Sequence, residues 1–384
     1  LVNKLMTSKI RIKELSLTNY RNHNKLKLNI QKEIILLYGE NGSGKTNILE
    51  AISMLSCPTG FRSSKLSNLF SNYLEKNYLN FSINFKLICE KEKLTIGIGM
   101  SEKNDIQKKL IKVDGEKINN YAFYKKYNIF WLLPSMNNLF NINASERRSF
   151  LDLMIISDEQ VHRDNINIYK KLQAERLKIL KNFKYSESND IWLTSIEKKM
   201  ASIGVVLCDT RRRFIKKINN YSLDSLSKLP ILKISLTGEM DKELEKNPAL
   251  FVEEKFLVKL KENRTVDTLI GRTNYSANKT DVIVYNETKE QYSTQCSTGE
   301  QKVMLITIVF QFIQILKEKP CLKLIFLLDD IFAFLDKTYI NIILEELVSL
   351  KIQTWITNVD NNCIDESSKS YKNVMFLDIK DIKM

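Results

Sequence analysis

Apolar and polar residues alternate at Ile10, Ile12, Leu15 and Leu17, and again at Leu26, Leu28 and Ile30, with a polar turn from Asn19 to Asn24 between them. A period of two predicts half-buried strands. Ile34 to Tyr38 is apolar without alternation, as in a strand covered on both faces. A glycine-rich octet follows, and Asn47 to Ile52 then reads as helix. Alternation returns at Phe81, Ile83, Phe85 and Leu87, then at Leu94, Ile96 and Ile98. Asp114-Gly115 marks a hairpin turn between a strand ending at Val113 and Ile118. These segments predict a mixed sheet built around one helix.

After Trp131-Leu132-Leu133-Pro134 the period changes. From about Ser145 to Ile218 the pattern is helical, and Met200, Ile203, Leu207, Phe214 and Ile218 recur at steps of three and four. The other face carries Lys198, Lys199, Arg211, Arg212, Lys216 and Lys217. Asn247-Pro248 predicts a helix start, cap and then first-turn proline, for a helix to about Lys261. Past Gly271 strands return at Val282 to Tyr285. A strongly apolar helix follows, opened by Cys296 to Lys302, running to about Lys317 and stopped by Pro320. Leu324 to Leu328 is a buried strand tipped by Asp329-Asp330. A helix at about Lys337–Lys351 and strands at Gln353–Thr357 and Val374–Leu377 complete the chain. The organisation expected is α/β, with an N-terminal part (1–124), a mainly helical lobe (125–266) inserted into it, and a C-terminal part (267–384) that completes the first.

Composition narrows the function classes. Hydrophobic content of 43% and charge of 27% are those of a globular protein, and no uninterrupted apolar run approaches a membrane span. No signal-peptide core stands in Leu1 to Ile10, and Met6 is a candidate start, with residues 1–8 a disposable tail. The six cysteines are scattered without a CxxC pair, which argues for core fillers in a reducing cytoplasm and against a zinc or disulfide frame. The net charge of +14 points to a polyanion, nucleic acid or acidic membrane surface, although Lys-, Asn- and Ile-rich composition also follows from biased base usage. The basic helical face is either plain solvated surface or a phosphate-backbone contact through Lys198, Lys199, Arg211, Arg212 and Lys216.

The octet is Gly39-Glu40-Asn41-Gly42-Ser43-Gly44-Lys45-Thr46, a complete phosphate-binding loop between strand and helix. Its glycines let backbone N–H groups turn around an anion at the positive end of the helix. Lys45 reaches the β- and γ-phosphates, and the Thr46 hydroxyl ligates Mg²⁺. A nucleoside triphosphate is therefore the expected ligand.

About 280 residues separate Lys45 from Asp329, too many for a simple P-loop enzyme. Ser297-Thr298-Gly299-Glu300-Gln301 lies one helix before the acidic strand, the order of an ABC-type ATPase head. Its N–H groups and the Ser297 hydroxyl form a second anion site, which would close over the γ-phosphate of a partner copy. The same residues spell a Ser-x-x-Glu capping box, and the two roles are compatible. Asp329 is expected to hold Mg²⁺ through water, and Asp330 to orient and deprotonate the attacking water. Ala333-Phe334-Leu335-Asp336 lies where such heads have a loop that crosses to the partner.

With these motifs placed, the chain resembles the RecF family, a branch of the SMC-like ABC ATPases. The resemblance runs nearly end to end. It rests on Leu17 to Asn22, Gly42 to Ile52, Gly60-Phe61-Arg62 and Trp131 to Pro134. It continues through Arg147-Arg148-Ser149-Phe150-Leu151-Asp152, Tyr169 with Leu172 and Arg176, Ser297 to Lys302, Asp329-Asp330, Leu335-Asp336 and Thr357 to Asp360. It departs where the family has Gly-Pro-His-Arg and this chain has Ser276-Ala277-Asn278-Lys279, with Asp281 kept. Ala333 stands for the usual Ser, and Thr357 for a histidine. The resemblance implies an ABC-type ATPase head with mixed sheets and an inserted helical lobe, binding ATP and Mg²⁺ through Gly39 to Thr46, Ser297, Gly299, Gln301, Asp336 and Thr357. It implies slow, DNA-stimulated hydrolysis and an ATP-dependent homodimer at single-strand/double-strand gaps. It further implies RecR and RecO as partners in loading recombinase, in DNA repair, replication and the SOS response. A transporter ATPase subunit and a non-hydrolysing ATP-gated dimerisation module share the ATP motifs. The inserted lobe, the charge and the missing membrane segment argue against the transporter.

Overall fold

The computed structural model describes residues 10–64, 69, 81–89, 92–103, 106–124, 126–181, 187–221, 228–319 and 323–382. The tail at 1–8, Pro320 as a helix stop and Cys321 as a core residue lie outside these. The chain divides into two compact units, Leu1–Asn137 with Leu316–Met384, and Asn138–Ile315. The sequence placed the borders at 124/125 and 266/267; the divisions at 137/138 and 315/316 keep another strand in the first unit and extend the inserted segment.

In chain order, β1 (Ile10–Tyr20) and β2 (His23–Asn29) form a hairpin, and β3 (Ile34–Tyr38) leads through the glycine loop into α1 (Lys45–Ser53). Then come β4 (Ser82–Cys89), β5 (Glu92–Lys103), β6 (Ile106–Val113), β7 (Glu116–Lys117), α2 (Asn120–Tyr124) and β8 (Asn128–Leu132). The second unit holds α3 (Ala144–Asp158), α4 (Val161–Lys181), α5 (Glu187–Asn219), β9 (Leu232–Thr237), α6 (Glu239–Lys246), α7 (Ala249–Glu262) and α8 (Arg264–Ile270). After these come β10 (Asp281–Asn286), β11 (Gln291–Tyr292) and α9 (Thr298–Lys317). The chain returns through β12 (Leu324–Leu328), α10 (Lys337–Leu350), β13 (Gln353–Asn358), β14 (Val374–Asp378) and α11 (Ile379–Ile382).

Two sheets make the first unit. One is antiparallel, in the order β2-β1-β4-β5-β6-β7; the other is parallel, in the order β14-β3-β13-β12-β8. Parallel strands covered on both faces need continuous apolar runs, which is why Ile34–Leu37 and Leu324–Leu328 are buried throughout. The antiparallel strands bury alternate residues, and Leu15, Leu17, Phe85 and Ile96 join Ile35, Leu37, Ile48, Ile52, Leu327 and Trp355 in one core. A bulge in β1 between Ile12 and Glu14 breaks the ladder. The buried Gln353 side chain occupies the break: it accepts from the Ile12 N–H at 2.8 Å and donates to the Ile12 carbonyl at 2.9 Å. The Asp114-Gly115 turn has φ of 50° and 88°, the doubly left-handed hairpin the dipeptide predicts.

The second unit has a core of Tyr169, Leu172, Met200, Leu207, Val252, Phe256 and Leu260. A Cβ on Gly204 would lie 2.6 Å from the Phe256 ring, so glycine sets how closely α5 and α7 approach. The strands β9, β10 and β11 form a small antiparallel sheet, and β9, α6 and α8 were not foreseen in the sequence. Asn247 is not the cap of α7. Its amide bonds back to Glu243 as α6 ends, and Pro248 itself takes the cap position. The segment that departs from the family tetrad is tied down. Ser276 Oγ accepts from the Gln173 amide at 3.0 Å, the Asn278 amide donates to Gln173, and the Ala277 N–H donates to the Tyr169 hydroxyl.

Arg176 is fully buried and joins three helices. It donates to Glu197 at 2.9 Å, to Asp267 at 2.6 Å and to the Leu260 carbonyl at 2.7 Å. Arg176→Met takes the cation from the buried Asp267, while Glu197 keeps its pair with Arg264, and is expected to lower the urea-unfolding free energy by about 3–5 kcal/mol. A change under about 1 kcal/mol would show that Asp267 finds another partner.

Candidate nucleotide site

The glycine loop rests on the turn between β1 and β2. The Asn22 amide donates to the Gly42 carbonyl at 3.2 Å, and the Asn47 amide of α1 donates to Asn22 Oδ1 at 2.8 Å. His23 Nε2 lies 3.2 Å from the Gly44 carbonyl. Gly44 has φ of 108°, and a Cβ there would lie 2.5 Å from His23 Nε2 and 2.6 Å from Asn22 Oδ1. Only glycine meets both demands. Arg21, at the same turn, grips the buried Glu50 of α1 through two hydrogen bonds of 2.9 and 2.7 Å. The Lys45 ammonium is held by the carbonyls of Gly39 and Glu40. Burial pushes its pKa down, against the pull of Asp330 and Asp329.

The acids come from β12. The strand order β3-β13-β12 sets the carboxyl ends of all three side by side, where open parallel sheets bind ligands. Asp329 Oδ1 accepts from the Thr46 hydroxyl at 3.0 Å and from the Thr357 hydroxyl at 2.7 Å. Thr357 Oγ1 also accepts from the Asp330 N–H at 2.9 Å. Burial pushes the Asp329 carboxyl above its ordinary value; the bonds from Thr357 and Thr46, and the charge of Arg62, oppose this without cancelling it. A buried carboxylate beside a hydroxyl is a donor set for a hard cation such as Mg²⁺, which would favour the charged carboxylate. Lys45, Thr46, Asp329, Asp330 and Thr357 line one cavity of about 250 Å³ with Asn41, Gly42, Gly44, Asn47, Arg62, Pro134 and Val359.

Arg62 and Asn47 were not among the site residues drawn from the sequence. Arg62 donates to Asn47 Oδ1 at 2.8 Å. The signal was present in Gly60-Phe61-Arg62, where Gly60 has φ of 66° and a Cβ would lie 2.9 Å from Glu50 Cγ. A turn so constrained, just after a P-loop helix, has a place to aim a side chain.

Other expected residues stand differently. Ser297 is exposed at the start of α9 and forms the capping box: its N–H donates to Glu300 at 2.8 Å, and Ser297 Oγ accepts from the Glu300 N–H at 3.4 Å. The ion pair with Lys289, with these bonds, holds the Glu300 carboxyl down to about 2. Gly299 is half-buried. Gln301 is a correction, since its side chain is buried and donates to the carbonyls of Ser293 and Cys296 at 2.9 and 3.1 Å. That bonding shapes the loop and leaves no amide for a ligand. The Asp336 carboxylate caps α10, accepting from the Tyr339 N–H at 2.9 Å.

The basic face of α5 also needs correcting. Lys198, Lys199, Arg212 and Lys216 are exposed, but Arg211 is buried. Its guanidinium makes two 2.8 Å bonds to Asp152 and a 2.7 Å bond to the Ala277 carbonyl. Counting every cation opposite the apolar stripe placed it outside; the buried Asp152 pulls it in. Burial works to raise the Asp152 carboxyl, yet the bonds from His162 and Arg211 hold it down to about 2. Stability from this group is thus present above the ordinary carboxylate range and lost as pH falls toward about 2.

Gly44→Ala is expected to weaken binding of a fluorescent ATP analogue at least about 100-fold by pushing the loop off Asn22 and His23; binding within about threefold of wild type would show that the loop tolerates the shift. Arg211→Glu should unfold the second unit, whereas Arg212→Glu should leave the melting temperature within about 1 °C.

The family described as RecF/RecN/SMC N terminal domain matches residues 11–378. The DNA replication and repair protein RecF of Rickettsia conorii is 31% identical over 359 residues, covering 91% of this chain and 95% of that protein. A solved structure of the recombination mediator protein RecF-ATPrS in the RecFOR pathway superposes with a TM-score of 0.77 at 24% identity, covering 94% of this chain and 95% of that one. An Smc head domain from Pyrococcus furiosus, bound to the C-terminal domain of ScpA, shares the fold at a TM-score of 0.52 and 16% identity, over 96% and 93% of the two chains. The chain belongs to the RecF family of DNA replication and repair proteins, within the SMC-like ABC ATPases.

Proposed function

We propose that the chain is an ATP-dependent DNA-binding switch of recombinational repair. The observation that carries this reading is the convergence of the Thr46 and Thr357 hydroxyls on Asp329, in the cavity that also holds Lys45 and Asp330. Lys45 and the loop N–H groups bind the β- and γ-phosphates, and Thr46 and Asp329 hold Mg²⁺. When bound, Mg²⁺ neutralises charge that develops on the phosphate oxygens. Asp330 orients the attacking water and takes its proton. Its side chain is one methylene shorter than glutamate, which fits slow turnover.

Ser297 and Gly299 of a second copy close on the γ-phosphate, so nucleotide joins two chains. Ser297 is exposed, as this role requires. DNA is held electrostatically; Lys198, Lys199, Arg212 and Lys216 present charge to the phosphate backbone, and the net charge of +14 supports this. Gapped duplex is the target, RecR and RecO are the partners in loading recombinase, and the setting is the cytoplasm. Family membership sets the transporter reading aside. The helix Thr298–Lys317 is long and apolar enough to cross a membrane, but 83% of that stretch is buried, as in a core helix.

Sedimentation with ATP and gapped duplex separates this reading from a non-hydrolysing dimerisation module. Asp330→Asn is expected to accumulate as an ATP-bound dimer on DNA, and wild type to return to monomer as ATP is consumed. Monomer in every condition would overturn the dimer, and equal persistence of wild type and variant would favour the module. DNA affinity should fall steeply with salt, and Lys198→Glu with Arg212→Glu should make the slope shallower by about two units if both touch phosphates.

A further inference from the structure

The turn that carries Arg62 into the cavity is fastened at three places. Its first fastening is to α1: the Phe61 N–H donates to Ser53 Oγ at 3.0 Å, and Cys57 N–H to the Ser53 carbonyl at 3.0 Å. The second is internal, with Gly60 and Ser63 N–H groups donating back to Cys57 and Gly60 carbonyls at 3.2 and 3.1 Å. The third comes from the antiparallel sheet. Lys109, on β6, donates its ammonium to the Pro58 carbonyl at 2.6 Å. The same ammonium stands 5.5 Å from the centroid of the Tyr124 ring, over its face, where a cation is attracted. Lys109 is half-buried, and burial brings its pKa down to about 8, with the Cys57 thiol pulling the other way.

We propose that Lys109 is a positioning residue for nucleotide binding: its charged clamp on Pro58 fixes the Cys57–Ser63 turn and thereby keeps the Arg62 guanidinium in the cavity. The chemistry is that of a charge-assisted hydrogen bond to a carbonyl, stronger than a neutral one and lost with the ammonium. Arg62 has one further anchor, Asn47 Oδ1 on α1, and Glu50 lies 3.9 Å away, so its direction depends on the turn. This inference rests on the cavity being the ATP site.

The test is a double-mutant cycle on the full chain, read as affinity for a fluorescent ATP analogue and as kcat. Wild-type binding is measured first; no binding would overturn the reading of the cavity, and this inference with it. Given binding, Lys109→Met should weaken ATP affinity about five- to tenfold, Lys109→Arg should stay within about twofold because a guanidinium also donates to a carbonyl, and Lys109→Met should add less than about twofold to Arg62→Ala. An equal loss in the Arg62→Ala background, a Lys109→Arg defect as deep as Lys109→Met, or an unchanged Lys109→Met would each overturn the clamp while leaving the ATP site standing.

Discussion

One carboxylate oxygen organises the site. Asp329 Oδ1 takes hydrogen bonds from Thr46 and Thr357, residues 283 and 28 positions away. Neither bond is possible unless β12 lies beside β13, and β13 beside β3, in parallel and in register. The sheet order is therefore what the chemistry requires. Burying a carboxyl that has only two hydroxyl donors is costly, and burial raises its pKa despite the bonds from Thr357 and Thr46. In the proposed function a divalent metal would offset that cost, with Thr46 and Asp329 holding it at the strand terminus.

The loop opposite is held with equal economy. Gly44 stands where neither a left-handed backbone nor a side-chain wall leaves space for a Cβ. The turn bearing Asn22 and His23 thus acts as a floor, and Arg21 fastens that floor to α1 through Glu50. Loop, floor and first helix are thus cross-linked, which in the proposed function would hold the loop ready for a phosphate. Buried ions do the corresponding work in the second unit, where Arg176 and Arg211 each bind more than one element. Such pairs are weak sources of stability but severe penalties when broken.

Much of this was legible in the sequence because it is local. Unalternated runs marked β3 and β12, and Asp114-Gly115 marked its hairpin. The complete loop named its ligand class, and Ser-x-x-Glu announced a cap that the structure contains. The residue-level failures share a cause, since each side chain was claimed by a partner outside its own motif. Gln301 looked like a ligand residue until the carbonyls of Ser293 and Cys296 claimed it. Arg211 looked like surface until Asp152 claimed it from α3. The Arg147-Arg148-x-Phe-Leu-Asp block, read only as a family mark, is framework: Arg147 pairs with Asp281 at 2.8 Å, and Arg148 donates to the Thr280 carbonyl at 2.9 Å. Helices on both sides hid β9, although its Leu232, Ile234 and Leu236 alternate with polar residues as a strand does.

The central claim is that the Thr46–Asp329 pair is a metal site completed by nucleotide, and Mn²⁺ in place of Mg²⁺ makes it measurable. Electron paramagnetic resonance of the ATP-loaded chain should report one tightly held Mn²⁺ in wild type, and loss of that binding in both Thr46→Val and Asp329→Asn. Wild-type Mn²⁺ affinity in either variant would contradict it.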